Sequence, residues 1–241
     1  MIYSYLQRGV AAGLVAGLAY GLYMILVGNP LTEYVHEAGH SHDHGHSHDA
    51  AHTVSETTTA VVSAGSGVLW AIFLGGCFAG ALYLFEPALP GTDGVKPYLL
   101  AGAGFFSVSA VPWLALPPAA PGAENLYAVD VRLGMYLALI AVGVAVSATA
   151  IAAYNRAAAT HPGLGILAAM APVLVVAIAV PTLTPTIVTH PGLSADLVAA
   201  FQGLVVVSQA ALWLCIAAAF NGVRRLGADR STDSPGDAIA G

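Results

Sequence analysis

Six long stretches without a charged residue dominate the chain: Gly9 to Asn29, Thr57 to Phe85, Pro97 to Ala123, Leu133 to Asn155, Pro162 to Thr189 and Leu197 to Val223. Each reaches the roughly 20 residues that an α-helix needs to cross a bilayer core about 30 Å thick. The runs are continuous and rich in Ala, Leu, Val and Gly, whereas barrel strands would show short alternating segments. The pattern predicts an all-α fold, a polytopic membrane protein with a bundle of about six transmembrane helices. It divides the chain into residues 1–27, the N-terminus and first helix; 28–60, a histidine-rich extracytoplasmic loop; 61–223, about five further helices; and 224–241, a cytoplasmic tail.

Composition sharpens this picture. Charged residues make up 8% of the chain, against about a quarter in soluble domains, so most of it cannot face water. The first apolar run follows Arg8 as a signal peptide would, but it exceeds the usual apolar length and no small-x-small cleavage site follows directly, so it is read as a helix. Cys77 and Cys215 both lie inside apolar runs, where packing is the simplest role and neither a disulfide framework nor a thiolate metal site is supported. The net charge of -6 argues against nucleic acid as a partner. Threading six helices in order puts Arg8, Lys96, Arg156, Arg224, Arg225 and Arg230 on one side and only Arg132 on the other. The positive-inside rule then predicts a multi-pass cell-membrane protein with both termini cytoplasmic and the histidines outside.

Within the first helix Gly9, Gly13, Gly17 and Gly21 recur every fourth residue, and Gly76 and Gly80 do so in the second. Such stripes let another helix approach closely in lipid and carry no chemistry. Pro112, Pro172 and Pro181 interrupt apolar runs and mark kinks or helix ends. The tetrads His161-Pro162-Gly163-Leu164 and His190-Pro191-Gly192-Leu193 each precede a long apolar run and read as turn punctuation.

The strongest chemical signal is the segment carrying His36, His40, His42, Asp43, His44, His46, His48, Asp49 and His52. Neutral imidazole is a good ligand for Co²⁺, Ni²⁺ and Zn²⁺, and the aspartates add oxygen ligands and negative charge. Alternating His-x-His spacing on a chain rich in Gly and Ser lets several rings converge on one ion without a preformed fold. The segment is expected to bind divalent transition metal with little selectivity. It lies between two helices and is mixed with Asp, Ser and Gly, unlike a purification tag.

The pentad His36-Glu37-Ala38-Gly39-His40 also matches the His-Glu-x-x-His signature of zinc metalloproteases, in which a helix presents both histidines on one face and the glutamate serves as base. That reading requires a helix, which Gly39 weakens, and a third ligand, for which no later apolar run offers an obvious acid. No phosphate-binding Gly-x-x-x-x-Gly-Lys-Ser/Thr loop occurs, so any ion movement must draw on membrane potential, an ion gradient or a partner.

The ordered landmarks resemble the CbtA family of probable cobalt transporter subunits. They are Arg8-Gly9 opening a Gly-rich first helix closed by Gly28-Asn29-Pro30-Leu31, and Gly75-Gly76 through Tyr83. Further along come Val111-Pro112-Trp113-Leu114 with Pro117-Pro118 and Pro121, Arg132 with Tyr136, Phe201-Gln202, and Gln209 through Trp213. Gln202 stands where the family often carries arginine. The resemblance implies uptake of cobalt linked to cobalamin biosynthesis, together with a small single-span CbtB-like partner subunit, and no enzyme activity or built-in cofactor. Co²⁺ would then be the transported ion, with Ni²⁺ or Zn²⁺ as alternatives.

Asn29, Glu86, Asp130, Arg132, His190, Gln202, Gln209 and Asn221 are the polar groups near membrane depth, where they call for an explanation. An Asp130/Arg132 pair would anchor the fourth helix, and Gln202 and Gln209, seven apart, would share one helical face. Three functions remain open: a metal-ion transporter or subunit of one, a membrane zinc metalloprotease using His36, Glu37 and His40, and a non-transporting metal-binding scaffold.

Overall fold

A computed structural model describes residues 2–40, 56–185 and 187–232. Its helices are α1 (Ile2–Tyr23), α2 (Asn29–His40), α3 (Glu56–Phe85), α4 (Lys96–Phe105), α5 (Val111–Trp113), α6 (Val129–Ala158), α7 (Pro162–Leu183) and α8 (Ala195–Thr232). Two π-helical turns are spliced into them: Met24–Gly28 joins α1 to α2, and Phe106–Ala110 joins α4 to α5. A two-residue ribbon pairs β1 (Glu124–Asn125) antiparallel with β2 (Val188–Thr189), matching Glu124 to Thr189 and Asn125 to Val188.

Among the described residues five helices are long and apolar enough to cross a membrane: Ile2–Gly39, Val61–Phe85, Val129–Ala158, Pro162–Leu183 and Ala195–Gly227. The remaining apolar run, starting at Pro97, is helical only to Trp113, because Pro117, Pro118 and Pro121 cannot continue a helix. This shorter element still carries the chain from one end of the bundle to the other. At one end Tyr5 meets Glu86, and Asn221 meets the Gly94 carbonyl. At the other, Gln202 meets the Pro118 carbonyl and Leu126 meets that of Ile187. Among the described residues the chain thus runs from end to end of the bundle six times, five of them as helices long and apolar enough to cross a membrane.

Four helices make the core. α1 packs on α3 and α8, and α4 packs on α8 and, less extensively, on α3. Phe78, Leu82, Leu212, Trp213, Ile216 and Phe220 fill the space between them. The glycine stripe of α1 sets the tightest contact, since a Cβ on Gly9 would lie 2.4 Å from the Gly75 carbonyl oxygen and one on Gly13 as close to that of Ala71. The α3 side of this contact is Gly75 with Ala71 and Ala79, not the Gly76 and Gly80 stripe of the sequence pattern, which has nothing within 4 Å. Residues 75 and 76 point about 100° apart on a helix, so only one of them can face α1. Outside the core, α6 and α7 form a hairpin attached through α6 to the Phe106–Ala110 turn and α5. Large apolar side chains such as Leu69, Phe73, Leu137, Leu167, Ile178 and Leu183 lie exposed, as a lipid-facing surface requires.

The first helix does not stop where the apolar run ends. α1, its π turn and α2 form one rod from Ile2 to His40, so the segment expected as a loop from residue 28 begins as helix. Thr32 Oγ1 donates to the Gly28 carbonyl at 2.8 Å, and Val35 is fully buried at the head of the bundle.

Candidate functional site

The histidine-rich segment meets the bundle at the tip of α2. His36 and Glu37 are exposed on α2, and the helix includes His40. His42, Asp43, His44, His46, His48, Asp49 and His52 lie outside the described residues. The pentad is therefore helical despite Gly39, with positions 36 and 40 on one face. Among the described residues no three His, Cys, Asp or Glu side chains converge, so these residues offer the pentad no third zinc ligand.

A cap of three segments closes this end. Gly39 lies against the turn that follows β2: a Cβ on Gly192 would be 3.4 Å from the Gly39 carbonyl oxygen, and one on Gly39 3.7 Å from Leu193. In that turn the Leu193 N–H donates to the His190 carbonyl, and the His190 imidazole reaches across to the segment after α5, where its Nε2 accepts from the Ala120 N–H at 3.2 Å. Gln202 of α8 holds the same segment through the Pro118 carbonyl, also at 3.2 Å.

Arg132, the single cation expected at this end, does not pair with Asp130. Residues two apart on a helix point in different directions, and the guanidinium turns instead to Asn125 Oδ1 at 2.7 Å, with its Nε buried and unpartnered. Lys96 with Asp93, at 3.1 Å and the opposite end, is the ion pair among the described residues.

Below the cap a band of oxygen atoms follows the seam between the core and the α6–α7 hairpin. Pro112 has no N–H to return to the preceding turn. The carbonyl of Val108, four residues earlier, accepts from the Tyr136 hydroxyl of α6 at 2.8 Å. Ser107 and Ser147 approach Oγ to Oγ at 3.1 Å, and Ser107 and Ser109 are both buried. The helices are in direct contact here, since a Cβ on Gly143 would lie 2.6 Å from the Ser107 Cα. A π turn loosens the regular backbone ladder and often marks a functional place in a helix. Gln209 and Tyr20, hydrogen bonded at 3.2 Å, make a polar contact between α8 and α1.

Beyond the seam, at the end away from the histidines, another set of contacts ties the helices. Tyr5 donates to Glu86 at 2.5 Å, Asn155 to the Ala88 carbonyl at 2.9 Å, and Arg224 to the Asp93 carbonyl at 2.5 Å. Between the two ends the seam thus presents uncharged oxygens, from Ser107, Ser147, Tyr136 and the Val108 carbonyl. Harder divalent cations accept oxygen ligands, and the borderline ions accept imidazole as well.

Sequence reasoning singled out His190, Gln202 and Gln209 but not Ser107, Ser109 and Ser147. For Ser107 and Ser109 the available signal was two serines two residues apart just ahead of a proline in an apolar run, and Ser147 carried no such mark.

The family model described as "Probable cobalt transporter subunit (CbtA)" matches residues 2–224. No curated protein and no solved structure matches the chain significantly.

Proposed function

The chain belongs to the CbtA family of probable cobalt transporter subunits, and from that premise we propose that it promotes the inward movement of Co²⁺ across the cell membrane. Family membership over nearly the whole chain is the observation that carries this reading. The histidine-rich segment, with His36, His40, His42, Asp43, His44, His46, His48, Asp49 and His52, faces outward and raises the local concentration of the ion. The basic residues Arg8, Lys96, Arg156, Arg224 and Arg225 set this orientation, leaving both termini in the cytoplasm. Ni²⁺ and Zn²⁺ compete for the same imidazoles, because an open histidine tract discriminates poorly.

The seam of Ser107, Ser147, Tyr136 and the Val108 carbonyl is the passage we favour. The core of α1, α3, α4 and α8 is filled by Phe78, Leu82 and Phe220, whereas the seam carries uncharged oxygens at helical depth. A path for a cation needs dipoles or negative charge, and the seam's hydroxyls and carbonyl supply dipoles, while Arg132, one turn before Tyr136 on α6, turns its guanidinium to Asn125. A small single-span CbtB-like subunit completes the transporter, and the imported cobalt serves cobalamin biosynthesis. Deleting the gene should lower cell-associated cobalt and cobalamin-dependent growth when the metal is scarce. Unchanged accumulation at limiting cobalt would remove this reading.

A further inference from the structure

Several hydroxyls on the lipid-facing helices return to their own backbone. Ser66 donates to the Ser63 carbonyl, Thr149 to that of Ala145 and Thr182 to that of Ile178. A polar group in hydrocarbon has to be satisfied in some such way. Tyr20 of α1 and Gln209 of α8 are not. Gln209 Nε2 donates to the Tyr20 hydroxyl oxygen at 3.2 Å, and this is the one hydrogen bond that either side chain makes among the described residues. The amide keeps a free carbonyl oxygen and the phenol a free O–H. Turning the amide over exchanges which atoms are left without satisfying them. Gln209 lies thirteen residues from Asp196 and fifteen from Arg224 along α8, roughly 20 and 22 Å at 1.5 Å per residue, so the pair sits near mid-span. Lipid tails offer it neither donor nor acceptor.

The pair stands at a groove between α1 and α8 with a volume of about 180 Å³, lined by Ala19, Tyr20 and Tyr23 on one side and Ser208, Ala211 and Cys215 on the other. Positions 208, 211 and 215 share one face of α8, in the three-and-four spacing by which helices pack side by side. Ala19, Ala211 and Cys215 are exposed, and residues this small let the backbone of a further helix come close.

We propose that this groove seats the single transmembrane helix of the small partner subunit, and that this helix carries an amide, hydroxyl or imidazole side chain at mid-span that completes the Tyr20–Gln209 pair. The family description names a subunit, and a one-span partner meets this chain inside the bilayer only along a lipid-facing surface. The outer faces of α3, α6 and α7 present large apolar side chains and hydroxyls already bonded to their own helix. The α1–α8 groove instead combines small residues with unsatisfied hydrogen-bonding groups. An acyl chain fills its volume without making the bonds, whereas a helix with one polar side chain does both. The existence of the small subunit rests on the transport reading above, and the groove names where it binds.

The test uses the full chain coexpressed with a tagged CbtB-like subunit. A photoreactive phenylalanine analogue is placed singly at Ala19 or Ala211, and as controls at Phe73 of α3 or Ile178 of α7, both exposed. After irradiation each adduct is identified by mass, and Co²⁺ uptake is measured in the same membranes. Positions 19 and 211 should capture the small subunit severalfold more than positions 73 and 178. Ala211→Phe fills the groove and Gln209→Leu removes the polar match, so each should reduce the copurified subunit severalfold while thermal unfolding of the chain stays near wild type. If either variant fails to fold, the cross-linking pattern decides. Groove adducts that hold only lipid or a second copy of this chain, or equal capture of the subunit at positions 73 and 178, overturn the docking site and leave transport standing. Absence of Co²⁺ uptake with the subunit captured at 19 and 211 removes the transport reading and leaves the docking site in place.

Discussion

Gly75 of α3 lies against Gly9 of α1 so closely that a Cβ on Gly75 would sit 2.3 Å from the Gly9 carbonyl oxygen. Lipid tails are as apolar as leucine, so no hydrophobic force drives these helices together and backbone contact must hold them. Gly75→Val should therefore cost at least the roughly 1–3 kcal/mol of an overpacked core. Thermal unfolding in detergent is expected to fall clearly for Gly75→Val and little for Gly76→Val, whose position faces open space. Equal losses at the two positions would argue against this packing.

The Tyr136 hydroxyl satisfies a carbonyl in the turn that Pro112 interrupts. Removing it with Tyr136→Phe should cost about 0.5–1.5 kcal/mol, the net worth of one hydrogen bond. If ions follow the seam, Tyr136→Phe and Ser147→Ala should also change the maximal rate of Co²⁺ uptake while leaving the affinity of the outer segment for metal intact. Wild-type rates in both variants would move the passage elsewhere.

Much of this fold was legible in the sequence because bilayer thickness imposes one requirement on every span, and six uncharged runs meet it in length. The continuation of the first helix through Gly28 to His40 was not legible. Its apolar pattern ends at Val27, while the rod is sustained by backbone bonding through a π turn and by burial of Val35. The choice of Gly75 over Gly76 depends on which face of α3 meets α1, and a four-residue spacing fits either register. The Ser107–Ser147 contact was hidden for a related reason. Hydroxyls in helices commonly bond to their own backbone one turn back, as Thr149 does with Ala145 and Thr184 with Val180. Nothing local distinguishes such a residue from one that reaches another helix. His36 was legible by its chemistry, but its place on the rod's exposed end was not.

Orientation can be checked independently of transport. In protein lacking Cys77 and Cys215, a cysteine at Ser47 should react with an impermeant maleimide in intact cells, whereas one at Ser4 should react only after lysis. The reverse pattern would invert the proposed topology.

The histidine-rich segment should bind Co²⁺, Ni²⁺ and Zn²⁺ through imidazole, which must be unprotonated to ligate. Its affinity should weaken as pH falls through the ordinary imidazole range near 6.5, because protons then compete for the same lone pairs. Calorimetry of a peptide spanning residues 36–52 at pH 7.5 and pH 5.5 measures this, and equal affinity at the two values would point away from imidazole.

Movement of Co²⁺ is measured by uptake into vesicles reconstituted with the full chain, with and without the small partner subunit. In the presence of the partner, accumulation above that of empty vesicles is expected. Replacing His42, His44, His46 and His48 by alanine should reduce uptake severalfold at limiting Co²⁺ and be largely rescued by excess, whereas Glu37→Gln should leave it unchanged because no hydrolytic step is involved. Vesicles holding both subunits correctly folded, yet taking up no more Co²⁺ than empty ones across an imposed potential or ion gradient, would contradict transport.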